Sequence, residues 1–380
     1  ITSESFSFFF EARGEQMKLI IIGFGQVGQS LTEMLEQRSP ELRDRYDVDI
    51  KVVAIVDRGG AALSKAGLEL SKALRAKRIK GTVSALKGFG KPDLSALEVL
   101  EEAEGDIVVE VTTTNLETGE PGLTHIRKAL RLGRHVVTTN KGPLALSMPH
   151  LVSLAEKNDV MLKFSGAVGG AMPILEFAKR CLNGDKIESI RGVLNGTTNY
   201  ILWRMAEKQV SLFEALREAR ELGYTEENVL YDLEGLDTAS KIVILSNWVM
   251  NRNVSLKDVE IKGIREVSLD EVINAKEEGF AIRLIGSVKE KIKVSPERIP
   301  LRDPLCVDSA LNAIAFECAY SGRHVLIGQG AGGKETASSV LRDILDVSRR
   351  CGLTLHQKGC VSEYSLNSSG VHVVNRKAYI

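Results

Sequence analysis

The chain has 380 residues, 43% of them hydrophobic and 26% charged, and its 50 basic and 50 acidic side chains cancel to zero formal net charge. That composition fits a soluble globular protein of about two domains and offers no footprint for nucleic acid or an acidic membrane surface. No apolar run approaches the ~20 residues of a membrane span. The five cysteines form no CxxC pair and the six histidines have no metal-ligand spacing, which fits a reducing cytoplasm and excludes a disulfide framework.

In chain order, residues 1–16 read as an extension outside the fold. Met17–Gly23 is a continuous apolar run stopping at glycine, as in a buried parallel strand. A helix is expected over Val27–Gln37 and a second buried strand over Asp49–Val56. A third strand, Asp106–Val111, runs into Thr112–Asn115. A helix over Leu123–Leu132 and a strand over His135–Thr138 follow, and that strand ends in a loop, Thr139–Pro143. Strands alternating with helices imply a doubly wound parallel α/β sheet, a Rossmann domain over 17–150. Beyond residue 150 an α+β pattern is expected. It has strands at Val160–Phe164 and Lys186–Val193, and helices at Thr198–Glu207, Leu212–Leu222 and Leu236–Met250. Strand pairs follow at 281–294 and 312–328, then a glycine-rich turn and a helix over Glu335–Cys351.

Gly23-Phe24-Gly25-Gln26-Val27-Gly28 fits GxGxxG between a strand and a helix. The first glycine permits the tight turn, the second lets pyrophosphate approach the backbone, and the third lets helix and strand pack closely. Asp57 ends the second strand, where an acid holds adenosine ribose hydroxyls and favours NAD; Arg58 beside it offers a contact for a 2′-phosphate instead. Thr112–Asn115 and Thr138–Lys141 lie at carboxyl ends of strands, where open α/β sheets bind ligands. Lys141, in the loop before Gly-Pro, is expected to face the crevice. Phe164–Pro173 can present backbone amides and carbonyls to a ligand, or be a tight crossing between domains. Asn195–Asn199 lies where a strand meets a helix, with Thr197 or Thr198 as a candidate cap.

Gly223–Lys241 gathers Glu226, Glu227, Asp232, Glu234 and Asp237 before one lysine. On a helix Glu234, Asp237 and Lys241 share a face. Alone, that pattern is most often a solvated face with an i,i+4 pair; a lysine held by carboxylates also suits proton transfer.

In this order the segments closely resemble homoserine dehydrogenases. After the fingerprint come VTTTNLETGEPG at 111–122, VVTTNKGPLA at 136–145 and AVGGAMP at 167–173. RGVLNGTTNYIL at 191–202, GYTEE at 223–227, DLEGLDTASK at 232–241 and GQGAGGKETASSV at 328–340 complete the series. The resemblance implies reversible reduction of L-aspartate 4-semialdehyde to L-homoserine with NADPH or NADH, on the branch toward threonine and methionine. By the same resemblance Lys241 is the proton donor, Lys141 a second essential lysine, and Asp232 an acid tied to catalysis. Glu226 and Asp237 bind substrate, with Gly170 and Thr198 beside them. Thr113, Asn115, Gly223, Gly330, Ala331 and Gly332 contact or close over the cofactor. The second domain, 151–317, is expected to form a homodimer, 318–350 to return to the nucleotide domain, and 351–380 to be a tail without a regulatory ACT domain. Two departures stand out. Asn228-Val229 replace the family's continuation of GYTE. Ser165 replaces a glutamate that helps hold a monovalent cation, leaving Val168, Gly170 and Met172 as a weak sodium site. The weighed alternatives are a reductase of another small aldehyde and a non-catalytic dinucleotide sensor.

Overall fold

The computed structural model describes residues 15–225 and 229–360, with side chains described from residue 16 to residue 350. The first half runs β1 (Glu15–Ile22), α1 (Gln26–Tyr46), β2 (Val48–Asp57), β3 (Gly60–Leu63), α2 (Leu70–Lys80), β4 (Gly90–Pro92), α3 (Ala96–Glu102), β5 (Ile107–Glu110), α4 (Gly122–Arg131), β6 (His135–Thr138), α5 (Lys141–Lys157) and β7 (Leu162–Lys163). These strands form one sheet in the order β4-β3-β2-β1-β5-β6-β7. Its central strands are parallel, and β3 and β4 add an antiparallel edge. The strand order reverses between β1 and β5, which opens a crevice at their carboxyl ends.

The second half runs α6 (Ile174–Glu176), β8 (Ile187–Val193), α7 (Gly196–Lys208), α8 (Leu212–Glu221), α9 (Leu230–Leu233), α10 (Leu236–Trp248), β9 (Glu260–Ile261), α11 (Leu269–Glu277), β10 (Phe280–Val288), β11 (Ile292–Pro300), β12 (Leu311–Cys318), β13 (Gly322–Gln329) and α12 (Gly333–Cys360). A six-stranded sheet, β13-β12-β8-β10-β11-β9, carries α7 and α10 packed on β10.

The apolar runs explain the layering. In β1, Met17, Leu19 and Ile21 face one core with α1 and α12, while Ile20 and Ile22 face the other with α3, α4 and α5. A strand buried on both faces needs an unbroken hydrophobic run, which is what the sequence supplies. Ala337, Val340, Leu341, Ile344 and Val347 recur at helical spacing on α12 and bury fully or nearly so against the first sheet.

Four expectations change. The first strand starts at Glu15, two residues inside the expected extension, with Glu15 and Gln16 in register with Val48 and Asp49. The helix after the fingerprint continues through Pro40 to Tyr46, because Leu31, Leu35 and Leu42 keep one buried stripe and Asp47 in the left-handed region ends it. The chain returns to the first sheet only after residue 329, since β13 stays paired with β12. The closing helix passes the expected tail start and reaches Cys360. Among the described residues no helix is long and apolar enough to cross a membrane.

Candidate active site

The fingerprint turn is shaped for a close ligand. Gly23 has φ +102°, and a Cβ there would meet the Val111 carbonyl oxygen at 2.5 Å. A Cβ on Gly28 would meet the Gly23 oxygen at 2.3 Å, which keeps α1 tight on β1. Gly25 is exposed, and a Cβ on it would meet nothing within 4 Å, so its open face is free for a phosphate. No side chain caps α1 at Gly25, which leaves amides of Gln26, Val27 and Gly28 as the anion site of a helix N-terminus. Phe24 is buried and offers only its backbone. The residues fit a dinucleotide.

Asp57, at the end of β2, is held by groups of its own chain. Its Oδ1 accepts from Gly59 N at 2.9 Å and Thr82 Oγ1 at 2.8 Å; its Oδ2 accepts from Lys77 Nζ at 2.7 Å and Val83 N at 2.9 Å. Burial would raise its pKa, but the hydrogen bonds from Lys77, Thr82, Val83 and Gly59 outweigh it and hold the group below the ordinary carboxylate value. Four donors thus surround the carboxylate. Arg58 is exposed at the same strand end.

Lys141 is not in a loop. It is the first residue of α5, whose N-cap is Asn140, with Asn140 Oδ1 accepting from Gly142 N. Asn140 is placed by Thr138, whose hydroxyl accepts from Asn140 N at 3.0 Å and donates to fully buried Glu110 at 3.1 Å. Asn115 spends its side chain on the turn beside it, accepting from Glu117 N and Thr118 N, and Thr113 is exposed at the crevice edge.

The second half of the site starts at the same level. Asp237 and Lys241 lie one turn apart on α10, and Lys241 Nζ donates to Asp237 Oδ2 at 2.7 Å and to the Leu194 carbonyl at 2.6 Å. Asp237 Oδ1 lies 3.3 Å from Lys141 Nζ. One carboxylate therefore joins a lysine from each half of the chain. Burial pushes the Asp237 pKa up, yet the two ammonium groups and the donor from Asn195 prevail and hold it well below the carboxylate range. Asp232 goes the other way. Burial and then the charge of Asp237 raise it to about 6, against a donor from Asn195 and the two lysines.

Asn195 organises this cluster. Its Nδ2 donates to Asp232 at 2.6 Å and to Asp237 at 2.9 Å, while its Oδ1 accepts from Thr198 N and so caps α7. The cap is thus Asn195, not Thr197 or Thr198. Thr198 is fully buried and its hydroxyl turns onto Asn195, behind the crevice. An Asn before Gly-Thr-Thr at a strand end is the only signal the sequence offers for this role.

Glu234 departs from the shared-face expectation. Gly235, at φ +82°, breaks the helix, so Glu234 ends α9 and pairs with Arg265 at the surface. Glu226 and Glu227 lie outside the described residues. Gly223 has φ +76° and open space around it. Gly170, at φ +55°, abuts the turn at Gly330, where a Cβ on Gly170 would meet Gly330 C at 2.6 Å. Ala331 and Gly332 are exposed beyond it.

In the turn expected to hold sodium, the Gly170 and Met172 carbonyls each accept a hydrogen bond from within the chain, from Ser339 Oγ and Ile174 N, while Ser165 donates to Asp343. Among the described residues no group of three acidic, histidine or cysteine side chains could hold a metal ion.

Known proteins give the same reading. The family model described as "Homoserine dehydrogenase, NAD binding domain" matches residues 23–165, and that described as "Homoserine dehydrogenase" matches 173–345. A homoserine dehydrogenase of Methanocaldococcus jannaschii is 43% identical, over 87% of this chain and 98% of its own length. An NAD(+)-dependent homoserine dehydrogenase of Pseudomonas canavaninivorans is 34% identical over 87% and 96%. The solved structure of a hyperthermophilic archaeal homoserine dehydrogenase in complex with NADPH superposes with a TM-score of 0.78 at 30% identity, covering 88% of this chain and 98% of that one. With matches running from the phosphate turn to the last helix, the chain belongs to the homoserine dehydrogenase family.

Proposed function

We propose that the protein interconverts L-aspartate 4-semialdehyde and L-homoserine with NADP or NAD, in the cytoplasm, as a homodimer, on the route to threonine and methionine. The observation that carries this reading is the carboxylate of Asp237 between Lys241 and Lys141, at the mouth of a dinucleotide crevice. A bound nicotinamide supplies or accepts the hydride. The protein's own side chains handle charge and protons.

Reduction of the aldehyde carbon leaves negative charge on its oxygen. Lys241, buried and held by Asp237 and the Leu194 carbonyl, offers an ammonium that stabilises that charge and then delivers a proton. Its two acceptors hold the ammonium in place. Lys141 brings a second positive charge from the other half of the site, suited to the substrate carboxylate or to the same oxygen. Asp232, nearly neutral in character at mildly acidic pH, supports Asp237 through Asn195. Asp237 and Glu226 are the acids offered to the substrate ammonium, with Gly170 lining the approach; Thr198 acts through Asn195. Gly23 to Gly28, Thr113, Asn115, Gly223 and Gly330 to Gly332 hold or close over the cofactor. The internally hydrogen-bonded Asp57 and the exposed Arg58 favour NADP. We read 17–150 as the nucleotide domain, the segment from 151 through β13 as the substrate and dimer domain, and α12 as a return to the first.

The test is direct. Protein mixed with L-homoserine and NADP+ or NAD+ should generate the absorbance of the reduced cofactor. Folded protein that turns over with neither cofactor rejects the proposal, and a non-catalytic sensor would then be the surviving reading. Turnover of other short aldehydes at equal kcat/KM would favour a broader reductase.

A further inference from the structure

Relatives that hold a monovalent cation at this turn would do so through backbone carbonyls and a glutamate, as the resemblance at Ser165 implies. In this chain side chains occupy that role. Ser339, fully buried on α12, donates its hydroxyl to the Gly170 carbonyl at 2.5 Å. Arg342, one turn further on, donates to Ser339 Oγ at 2.8 Å. The Met172 carbonyl accepts from Ile174 N at 2.9 Å. Ser165 brings no charge; its N and Oγ donate to Asp343 at 2.8 and 2.6 Å.

A carbonyl has two lone pairs, so occupancy alone does not decide the matter. Charge does. A hydroxyl that accepts from a guanidinium and donates to Gly170 turns the positive end of its dipole onto that oxygen, as a cation would. A sodium ion there would lie beside the fixed positive charge of Arg342. A glutamate at 165 would in turn face the Asp343 carboxylate, a pair of like charges that an intervening cation or a shared proton would relieve. The two solutions are alternatives, and the serine–guanidinium solution is built here.

We infer that the relay Arg342–Ser339–Gly170 replaces a monovalent cation as the clamp of the Val168–Met172 turn, so that this protein needs neither sodium nor potassium to hold its site. The clamp reaches the cofactor side, because Gly170 packs on Gly330 and Ala171 N donates to the Gln329 carbonyl at 3.2 Å.

Thermal unfolding in sodium, potassium and tetramethylammonium chloride at matched ionic strength tests this, together with the linewidth of the sodium resonance. Neither readout depends on turnover, so both stand even if the substrate assignment fails. The expected result is one Tm in all three salts and no protein-induced broadening. Ser339→Ala should lower Tm by about 1–2 °C in every salt, the shift for one lost buried hydrogen bond in a chain of this size. A saturable rise of wild-type Tm with sodium or potassium, or sodium broadening that potassium competes away, overturns the inference. So does a Ser339→Ala protein with unchanged Tm, for then the hydroxyl clamps nothing.

Discussion

Asp237 Oδ2 lies 2.7 Å from Lys241 Nζ, one helical turn away on α10, and its other oxygen lies 3.3 Å from Lys141 Nζ at the head of α5. The first contact is fixed by helix geometry within one element. The second crosses between the two sheets and exists only if the domains are docked. Reaction chemistry and domain arrangement thus meet in one carboxylate.

The two lysines should therefore fail differently. Lys241→Ala removes the proposed proton donor and should lower kcat about 10²–10⁴-fold, with cofactor affinity retained. Lys141→Ala should raise KM for homoserine as well as lower kcat, because that side chain is only part-buried and faces the crevice. Steady-state kinetics with a fluorescence titration of the reduced cofactor separate the two. Near-normal kcat in Lys241→Ala would remove the proton-donor role.

Asp232 makes a prediction in pH. Its ordinary value of 3.8 rises to about 6 in the folded protein, first from burial and then from the charge of Asp237. The native state therefore binds this proton more tightly than the unfolded chain. The stability it contributes is complete below about pH 4 and is lost as pH rises to about 6. Asp232→Asn lacks that loss. Its stability relative to wild type should climb by about 1–3 kcal/mol between pH 4 and 6 and then level off. Denaturant unfolding across that range checks it, and a flat difference would reject the raised carboxyl.

Asn195 should be costly to alter in spite of its ordinary position at a helix start. Asn195→Leu leaves Asp232 and Asp237 without a shared donor and uncaps α7, a loss of about 2–4 kcal/mol from an unsatisfied buried acceptor and a missing cap. Asn195→Asp keeps the cap and adds a third carboxylate. It should fold better than Asn195→Leu yet lose more kcat. Urea midpoints and kcat measured on both variants test the ordering.

Much of this site was legible because its signals are local. Gly23, Gly25 and Gly28 sit at fixed offsets between a strand and a helix, and Asp237 and Lys241 are one helical turn apart. What escaped depends on distant partners. Nothing near Asp57 in the chain announces Lys77, Thr82 and Val83, which come from the next helix and turn to donate to it. Asn195 shows its role only once the fold brings Asp232 and Asp237 to its amide nitrogen. The start of α5 at Lys141 was hidden by Gly142 and Pro143, although proline is well tolerated in a first turn, where its missing N–H has no helical partner. Ser339 and Asp343 lie 169 and 178 residues from the groups they hold.

The proposed cofactor preference rests on that same set of hydrogen bonds to Asp57. An acid that accepts four internal hydrogen bonds acts as a brace for the β2 end and the Thr82 turn. Asp57→Ala should then lower Tm, since it removes the buried carboxylate partner of Lys77 and leaves that ammonium the Gly81 carbonyl alone among these acceptors. It should leave the ratio of kcat/KM for NADP and NAD nearly unchanged. Arg58 has the opposite profile: exposed, positively charged and just beyond the carboxyl end of β2. Arg58→Ala should raise KM for NADP by about 10–100-fold, the worth of one charge-assisted phosphate contact, while KM for NAD stays put and Tm hardly moves. Paired KM values for both cofactors on both variants decide the matter. A swing of preference in Asp57→Ala would return the ribose-binding role to that acid. Equal shifts for the two cofactors in Arg58→Ala would remove the phosphate contact from Arg58.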